Sequence, residues 1–206
     1  MTRGELRSSI TITLNDLGVV YNTADEYNDA IQDAYDDVTI YCKQIIKNTT
    51  LNWIPNLAYY DFKTAGVSDY MGAIAIFNNV NNQWLDDSVS LRQFDSLHPD
   101  WEKRLGTVLY WTPVSFKFIA VYPQGNTGSF VLHYWAEAPV LTADSDEFLI
   151  ATDMQQLLEK YAVADLLETS NEFTKAMIYW KEYYTQLEIY KERCRGLARV
   201  DLLQGV

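Results

Sequence analysis

The C-terminal stretch of the chain, residues 171–203, decides the fold and reads NEFTKAMIYWKEYYTQLEIYKERCRGLARVDLL. Apolar and aromatic side chains recur in it at spacings of three and four residues, which is typical of an amphipathic helix. Its predicted packed side consists of Phe173, Ala176, Met177, Trp180, Tyr184, Leu187, Tyr190, Cys194 and Leu197. Unbroken, such a helix holds about 33 residues and is roughly 50 Å long.

That length exceeds the domain that would contain the helix. A compact globule of 206 residues has a diameter of about 43 Å. Gly196 could shorten the helix, because glycine costs roughly 1 kcal/mol relative to alanine in a helix interior. Residues 197–206 are therefore interpreted either as an arm that needs a partner or as a frayed terminus.

Three further helices are predicted upstream of this one, two at the N-terminus and one in the C-terminal half. Their predicted ranges are 2–17, 23–48 and 152–170. Leu6, Ile10 and Leu14 mark the packed side of the first helix. Thr23 and Thr152 are each followed three residues later by Glu or Gln, so each matches a capping box at a helix start.

Between the two helical regions the apolar pattern becomes short runs separated by Asn, Asp, Gly and Pro, which indicates strands and loops. The predicted strands cover residues 73–77, 108–111, 116–122 and 129–135. The last two flank a Gly- and Asn-containing turn and are predicted to form an antiparallel hairpin.

The predicted fold is therefore α+β: a bundle of about four helices carrying a β-rich insert. Residues 1–50 provide the N-terminal helices, residues 51–150 the insert, and residues 151–206 the C-terminal helices with an extended arm.

The charge of the chain is acidic throughout. The formal net charge is −12, and neither helical region nor insert is basic. This argues against a grip on nucleic acid that works by releasing counterions from phosphate. A requirement for solubility alone would also explain this excess of acidic residues.

The residues that usually carry chemistry do not form a recognisable site. His98 and His133 have no companions at metal-ligand spacing. Cys42 and Cys194 each lie in a helical pattern and are predicted to be reduced, buried side chains. We expect no metal, no cofactor and no enzymatic activity.

Paired carboxylates occur at Asp86-Asp87 and at residues 144–147. A glycosidase needs two carboxylates facing each other across a cleft, whereas loop carboxylates beside a helix start need no partner. The latter interpretation is favoured. We also expect neither a signal peptide nor a membrane span, because no apolar run approaches about 18 residues.

Three stretches resemble one protein family. They are residues 116–123 (FKFIAVYP), residues 130–146 (FVLHYWAEAPVLTADSD) and residues 161–168 (YAVADLLE). Together with the order of helices and insert, they resemble the head-to-tail adaptor, or connector, proteins of short-tailed bacteriophages. Residues 65–101 have no counterpart in that family.

The resemblance implies a subunit of a homo-oligomeric ring, in the family usually a dodecamer, at the head-tail junction of a virion assembled in the host cytoplasm. Such a ring docks on the portal protein, meets a tail tube or nozzle protein, and lets double-stranded DNA pass without sequence-specific binding. The candidate portal or neighbour interface is Lys191, Arg193, Arg195, Arg199, Leu202 and Leu203. The candidate tail-side hairpin is Tyr122, Gln124, Asn126 and Phe130.

Two alternatives remain open at this point. One is a neck or tail-completion protein one layer further from the portal, which shares the ring geometry. The other is a carbohydrate-binding tail protein, since four tryptophans could stack on sugar rings. These are Trp84, Trp101, Trp111 and Trp135.

Overall fold

A computed structural model describes residues 1–19, 23–97, 99–115 and 117–204, with side chains given up to residue 194 except at 97. Over these residues the chain forms five α-helices and nine β-strands, so the predicted α+β fold with a β-rich insert is confirmed. It divides into two compact units. The first comprises residues 1–45 and 138–206, the second residues 46–137.

All helices but one belong to the first unit. The helices are α1 (Arg3–Asp16), α2 (Ala24–Cys42), α3 (Leu91–Leu97), α4 (Gln155–Thr169) and α5 (Phe173–Gln204); α3 lies in the second unit. Leu6, Ile10 and Leu14 of α1 are fully buried, as their spacing predicts. The core of the unit forms where α4 packs against α1, α2 and α5.

The helix starts differ in how they are capped. Thr2 and Glu5 form a complete capping box at α1, and the Thr23 hydroxyl accepts a hydrogen bond from the Glu26 amide at α2. The predicted box at Thr152 is wrong: residues 152–154 form a 3₁₀ turn and no side chain caps α4. Gln155 is buried and its amide points to the Ile150 carbonyl at 3.5 Å.

The second helix is shorter than predicted. It ends at Cys42, where Lys43 takes the left-handed conformation (φ 51°), and residues 46–52 form a strand instead of the helix predicted to reach Asn48. The segment is rich in β-branched residues such as Ile46 and Thr50, which favour a strand when a partner strand is present. Pairing outside the segment therefore overrides its helical spacing.

The last helix confirms the predicted length and only part of the predicted packed side. It spans 32 residues, roughly 48 Å. Phe173, Met177 and Tyr184, predicted to be packed, are 54%, 71% and 55% exposed. Among its described side chains, α5 buries Ala176 and Leu187, as predicted, and Tyr183, which was not predicted. Because α5 carries apolar residues on more than one side, its partner helices select the packed one.

The second unit contains three sheets. A four-stranded sheet has the order β1 (Ile46–Asn52), β9 (Ser129–Ala136), β3 (Tyr70–Asn78) and β4 (Gln83–Trp84). A three-stranded sheet has the order β2 (Tyr59–Asp61), β7 (Phe118–Tyr122) and β6 (Tyr110–Pro113). A short parallel pair joins β5 (Leu105–Gly106) and β8 (Gln124–Gly125).

The pairing predicted between residues 116–122 and 129–135 is wrong. Strand β7 pairs with β2 and β6, whereas β9 lies between β1 and β3 in the other sheet. Antiparallel hairpins do occur, between β6 and β7 and between β3 and β4. The turn residues permit a reversal, but strand β8 and the segment after it carry the chain from one sheet to the other.

Aromatic side chains fill the core of the second unit. Trp53 stacks on Phe130 with ring centroids 4.0 Å apart, and Tyr60 meets both rings edge-on. Gly125 passes so close to Trp53 that a Cβ there would lie 2.6 Å from the indole. Strands β1 and β9 pair from Ile46↔Trp135 to Asn52↔Ser129.

Candidate interaction surfaces

The predicted basic interface lies at the far end of α5. Lys191 pairs with Glu188 at 3.0 Å, and its ammonium lies 5.3 Å from the centre of the Tyr41 ring on α2. The side chains of Arg195, Arg199, Leu202 and Leu203 lie outside the described residues.

Arg193 is the most exposed cation of this group that the structure describes. Its guanidinium lies 3.6 Å from the Asp153 carboxylate, with both side chains more than half exposed. It also lies 5.6 Å from the ring centre of Tyr190. Exposed pairs of this kind contribute between zero and about 1 kcal/mol, so Arg193 remains available to a partner.

The four residues predicted at a tail-side hairpin do not form one surface. Phe130 is fully buried, and Tyr122 and Gln124 are 9% and 4% exposed. Gln124 is fixed by its amide, which donates to the Glu102 carbonyl. Asn126 is exposed. Only Asn126 of the four is therefore placed to contact another protein.

A surface that the sequence assigned to the core runs along α5. We call Phe173, Met177, Trp180 and Tyr184 the aromatic strip; they recur at spacings of four, three and four residues and share one side of the helix. Trp180 stacks on Tyr184 at 5.8 Å. Trp180 also meets Tyr161 of α4 edge-on at 4.9 Å. The rings of Trp180 and Tyr184 are therefore held by contacts within the first unit.

One carboxylate of α4, Glu168, adjoins the aromatic strip, and two others, Asp165 of α4 and Asp33 of α2, lie near it. Glu168 accepts a hydrogen bond from the Trp180 indole at 3.0 Å. Burial, followed by the charges of Asp33 and Glu168, raises the pKa of Asp165. Among the described side chains, no Lys or Arg forms an ion pair with any of the three. Negative charge beside the strip is thus left unneutralised.

The carboxylates at residues 144–147 have a structural role. Asp144 pairs with Arg7 and, at 3.2 Å, with Arg3, and these contacts lower the pKa of Asp144. The amide of Gly4 donates to the Asp144 carbonyl at 2.9 Å. The loop thus binds the start of α1, not α4 as the helix-dipole interpretation implies. The sequence offers no signal for this pairing, because the partners lie about 140 residues apart.

The remaining candidates for chemistry are dispersed. His133 lies in β9, and burial lowers the pKa of its imidazole; His98 lies outside the described residues. Asp86 accepts the Ser88 amide at 2.8 Å within a turn. In the described part of the chain, no three His, Cys, Asp or Glu side chains are grouped so that they could hold a metal ion.

The two cysteines, far apart in sequence, lie side by side. Burial, followed by the neighbouring Cys194, raises the pKa of the Cys42 thiol to about 12. The amide of Gln44 donates to the Cys194 sulfur at 3.0 Å. The pair joins the end of α2 to α5.

The tryptophans proposed to stack on sugars do not share a platform. Trp101 and Trp111 are buried core residues, at 2% and 3% exposure, and Trp135 is half-buried. Trp84 is 46% exposed and packs edge-on against Phe77. The arrangement gives no support to the carbohydrate-binding alternative.

The similarity to known proteins extends over almost the entire chain. A model of the SU10 adaptor protein family matches residues 1–200, which include both compact units. No curated protein matches the chain. No helix in the described segments has the length and apolar character needed to cross a membrane. The order of helices and β-rich insert is the one that the resemblance to head-to-tail adaptors implies, and the chain belongs to the SU10 adaptor protein family.

Proposed function

We propose that this phage adaptor is a subunit of the head-to-tail connector, a ring that docks on the portal protein and continues its DNA channel toward the tail. The family match over residues 1–200 carries the proposal. The proposal gives the adaptor a specific place in the virion. Each ring holds twelve copies, with a portal on one side and a tail tube or nozzle protein on the other.

The exposed aromatic strip supports an assembling role. Aromatic residues and methionine are enriched at the centres of protein interfaces. Met177 is 71% and Tyr184 is 55% exposed on a helix whose opposite side is already packed. A cyclic ring needs surfaces of this kind on every subunit, because each copy contacts two neighbours through different faces.

The charge of the chain supports a passive passage for DNA. With a net charge of −12, a ring of these subunits repels a polyanion and does not bind it, so DNA slides through. We further propose that the role is structural, without a catalytic step, a cofactor or membrane attachment.

Co-assembly with the portal protein of the same genome tests the proposal. The two proteins are co-expressed, portal rings are purified, and the copies bound are counted by native mass spectrometry. We expect twelve copies of this chain per portal ring. We also expect no binding of a double-stranded DNA duplex at about 0.15 M salt, measured by fluorescence polarisation. Portal rings that never retain the chain would contradict the proposal.

The alternative position is the layer of the virion one step further from the portal. If this chain does not bind bare portal rings but binds portal rings that already carry another adaptor, it is a neck or tail-completion protein. The same native masses distinguish the two layers.

A further inference from the structure

We propose that the aromatic strip of one subunit is the docking surface for the basic C-terminal segment, residues 193–199, of a second copy of the same chain. The inference rests on the proposed ring assembly and names the contact between its subunits. It assigns a partner to the exposed side of α5 and to the cations at its end.

The aromatic strip has the shape and composition of a receiving surface. Its four side chains follow about 11 residues of α5, roughly 17 Å along the helix axis. Phe173, Met177 and Tyr184 are each more than half exposed. Trp180, the fourth residue of the strip, is fixed by its ring contact with Tyr161 at 4.9 Å, so that ring loses little rotamer freedom when a partner covers the strip.

Charge indicates which partner fits. Glu168 contacts the strip at Trp180, and the charges of Asp165 and Asp33 lie close behind it; no cation pairs with any of the three among the described side chains. Residues 193–199 read RCRGLAR, with three arginines and no acidic residue. Arginine suits such a surface doubly, because its planar guanidinium stacks on aromatic rings and forks onto carboxylates.

A second copy must supply the segment, since the subunit's own segment cannot reach the strip. Both lie on α5, which is continuous from Phe173 to Gln204. Arg199 follows Tyr184 by about four helical turns, roughly 22 Å along the axis. A surface and its complement fixed at different points of one rigid helix can meet only between molecules, head to tail, which is the geometry that closes a ring.

Two kinds of variant separate the surface from its occupant. Met177→Arg places in the strip a positive charge, which repels the arginines of the docking segment. Tyr184→Arg does the same at the C-terminal end of the strip. Replacing Arg193, Arg195 and Arg199 together by Gln neutralises the segment. Ile178→Arg is the matched control, since Ile178 is 58% exposed on a different side of α5. Circular dichroism melting verifies that each variant folds.

Light scattering measures the assembly of the full chain, alone and with portal rings. We expect each strip variant and the neutralised variant to lose at least about tenfold in self-association, with Ile178→Arg unchanged. The decisive sample is a one-to-one mixture of Met177→Arg and the neutralised variant. In this mixture the neutralised variant keeps an intact strip and Met177→Arg keeps an intact segment. The two variants therefore form one-to-one pairs that do not grow further.

Three results would overturn the inference. The mixture stays monomeric while the wild type assembles, or Ile178→Arg is as damaging as Met177→Arg, or the wild type never self-associates even on portal rings. Loss of portal binding by the neutralised variant alone would make the portal the occupant instead. If the wild type self-assembles but does not bind portal rings, the proposed function is contradicted, whereas the contact between subunits is not.

Discussion

Removing one hydroxyl from the core of the first unit is predicted to cost measurable stability in a pH-dependent manner. Tyr183 is fully buried, and its hydroxyl donates a hydrogen bond to the carboxylate of Asp37. Tyr183→Phe deletes that bond but keeps the ring, which packs against Tyr161 at 5.3 Å and Tyr184 at 5.2 Å. The substitution therefore isolates the polar contact.

The expected loss follows from the state of the Asp37 carboxyl. Burial raises its pKa, and the Tyr183 hydrogen bond opposes that rise. A hydrogen bond to a charged group contributes about 1.5–3 kcal/mol, and one to a neutral group about 0.5–1.5 kcal/mol. Because Asp37 is only half-buried and water can replace the hydroxyl in part, we expect about 1.5 kcal/mol at pH 7.

The sign of the pH dependence is set by the raised pKa. An acid whose folded pKa lies above its unfolded value costs stability as pH rises through that window, because the folded state holds the proton more strongly. Tyr183→Phe raises the folded pKa of Asp37 further. The variant should therefore lose more stability above the window than at low pH, where the Asp37 carboxyl is protonated in both states.

Urea unfolding followed by far-ultraviolet circular dichroism measures these quantities, since most helix lies in the first unit. A double-mutant cycle with Asp37→Asn isolates the pair, and we expect a coupling energy of about 1 kcal/mol at pH 7. Tyr184→Phe, whose ring is 55% exposed, is the control and should change stability by less than about 0.5 kcal/mol. Additive single substitutions, or a loss that is equal at pH 7 and pH 3.5, would refute the reasoning.

Three further predictions address other contacts. Phe130→Ala should destabilise the second unit by about 3–5 kcal/mol, because it removes a fully buried ring stacked on Trp53; tryptophan fluorescence in urea measures it, and a loss below about 1 kcal/mol would count against the assigned core. Asp144→Asn should remove the Asp144 contribution to stability, which is present at neutral pH and lost as pH falls below about 4, since pairing with Arg7 lowers the Asp144 pKa; acid titrations should show the variant less stable at pH 7 and the two curves converging at low pH, and a constant difference would contradict the pairing. With a pKa of about 12, Cys42 should resist iodoacetamide at pH 8 and react in denaturant, as peptide mass mapping would reveal; equal labelling in both states would contradict its burial.

How far the sequence predicts this fold depends on whether a pattern is local. The spacing of Leu6, Ile10 and Leu14 identifies the buried side of α1, because Ile12 is the one large apolar residue of that helix off this side. In α5 the same method selects Tyr184, which is exposed, in place of its neighbour Tyr183, which is buried. Only the positions of α2 and α4 distinguish them.

Pairing between distant segments is the second limit. Residues 46–48 have helical spacing, and the glycines after Tyr122 suggest a hairpin, yet both segments take partners elsewhere in the second unit. The aromatic strip was missed for a related reason: every residue in it is recognisable, but their exposure depends on the packing of α5. The ion pairs of Asp144 likewise lie beyond any local signal.

The pairing of Ile46 with Trp135 has a consequence for how such adaptors diversify. The chain enters and leaves the second unit on adjacent strands, with Cα atoms about 5 Å apart. A short turn joining residues 45 and 138 would close the helical unit at little entropic cost, and an insert with ends so close can be exchanged as a cassette. A replacement of this module can therefore leave the chain path of the helical unit unchanged.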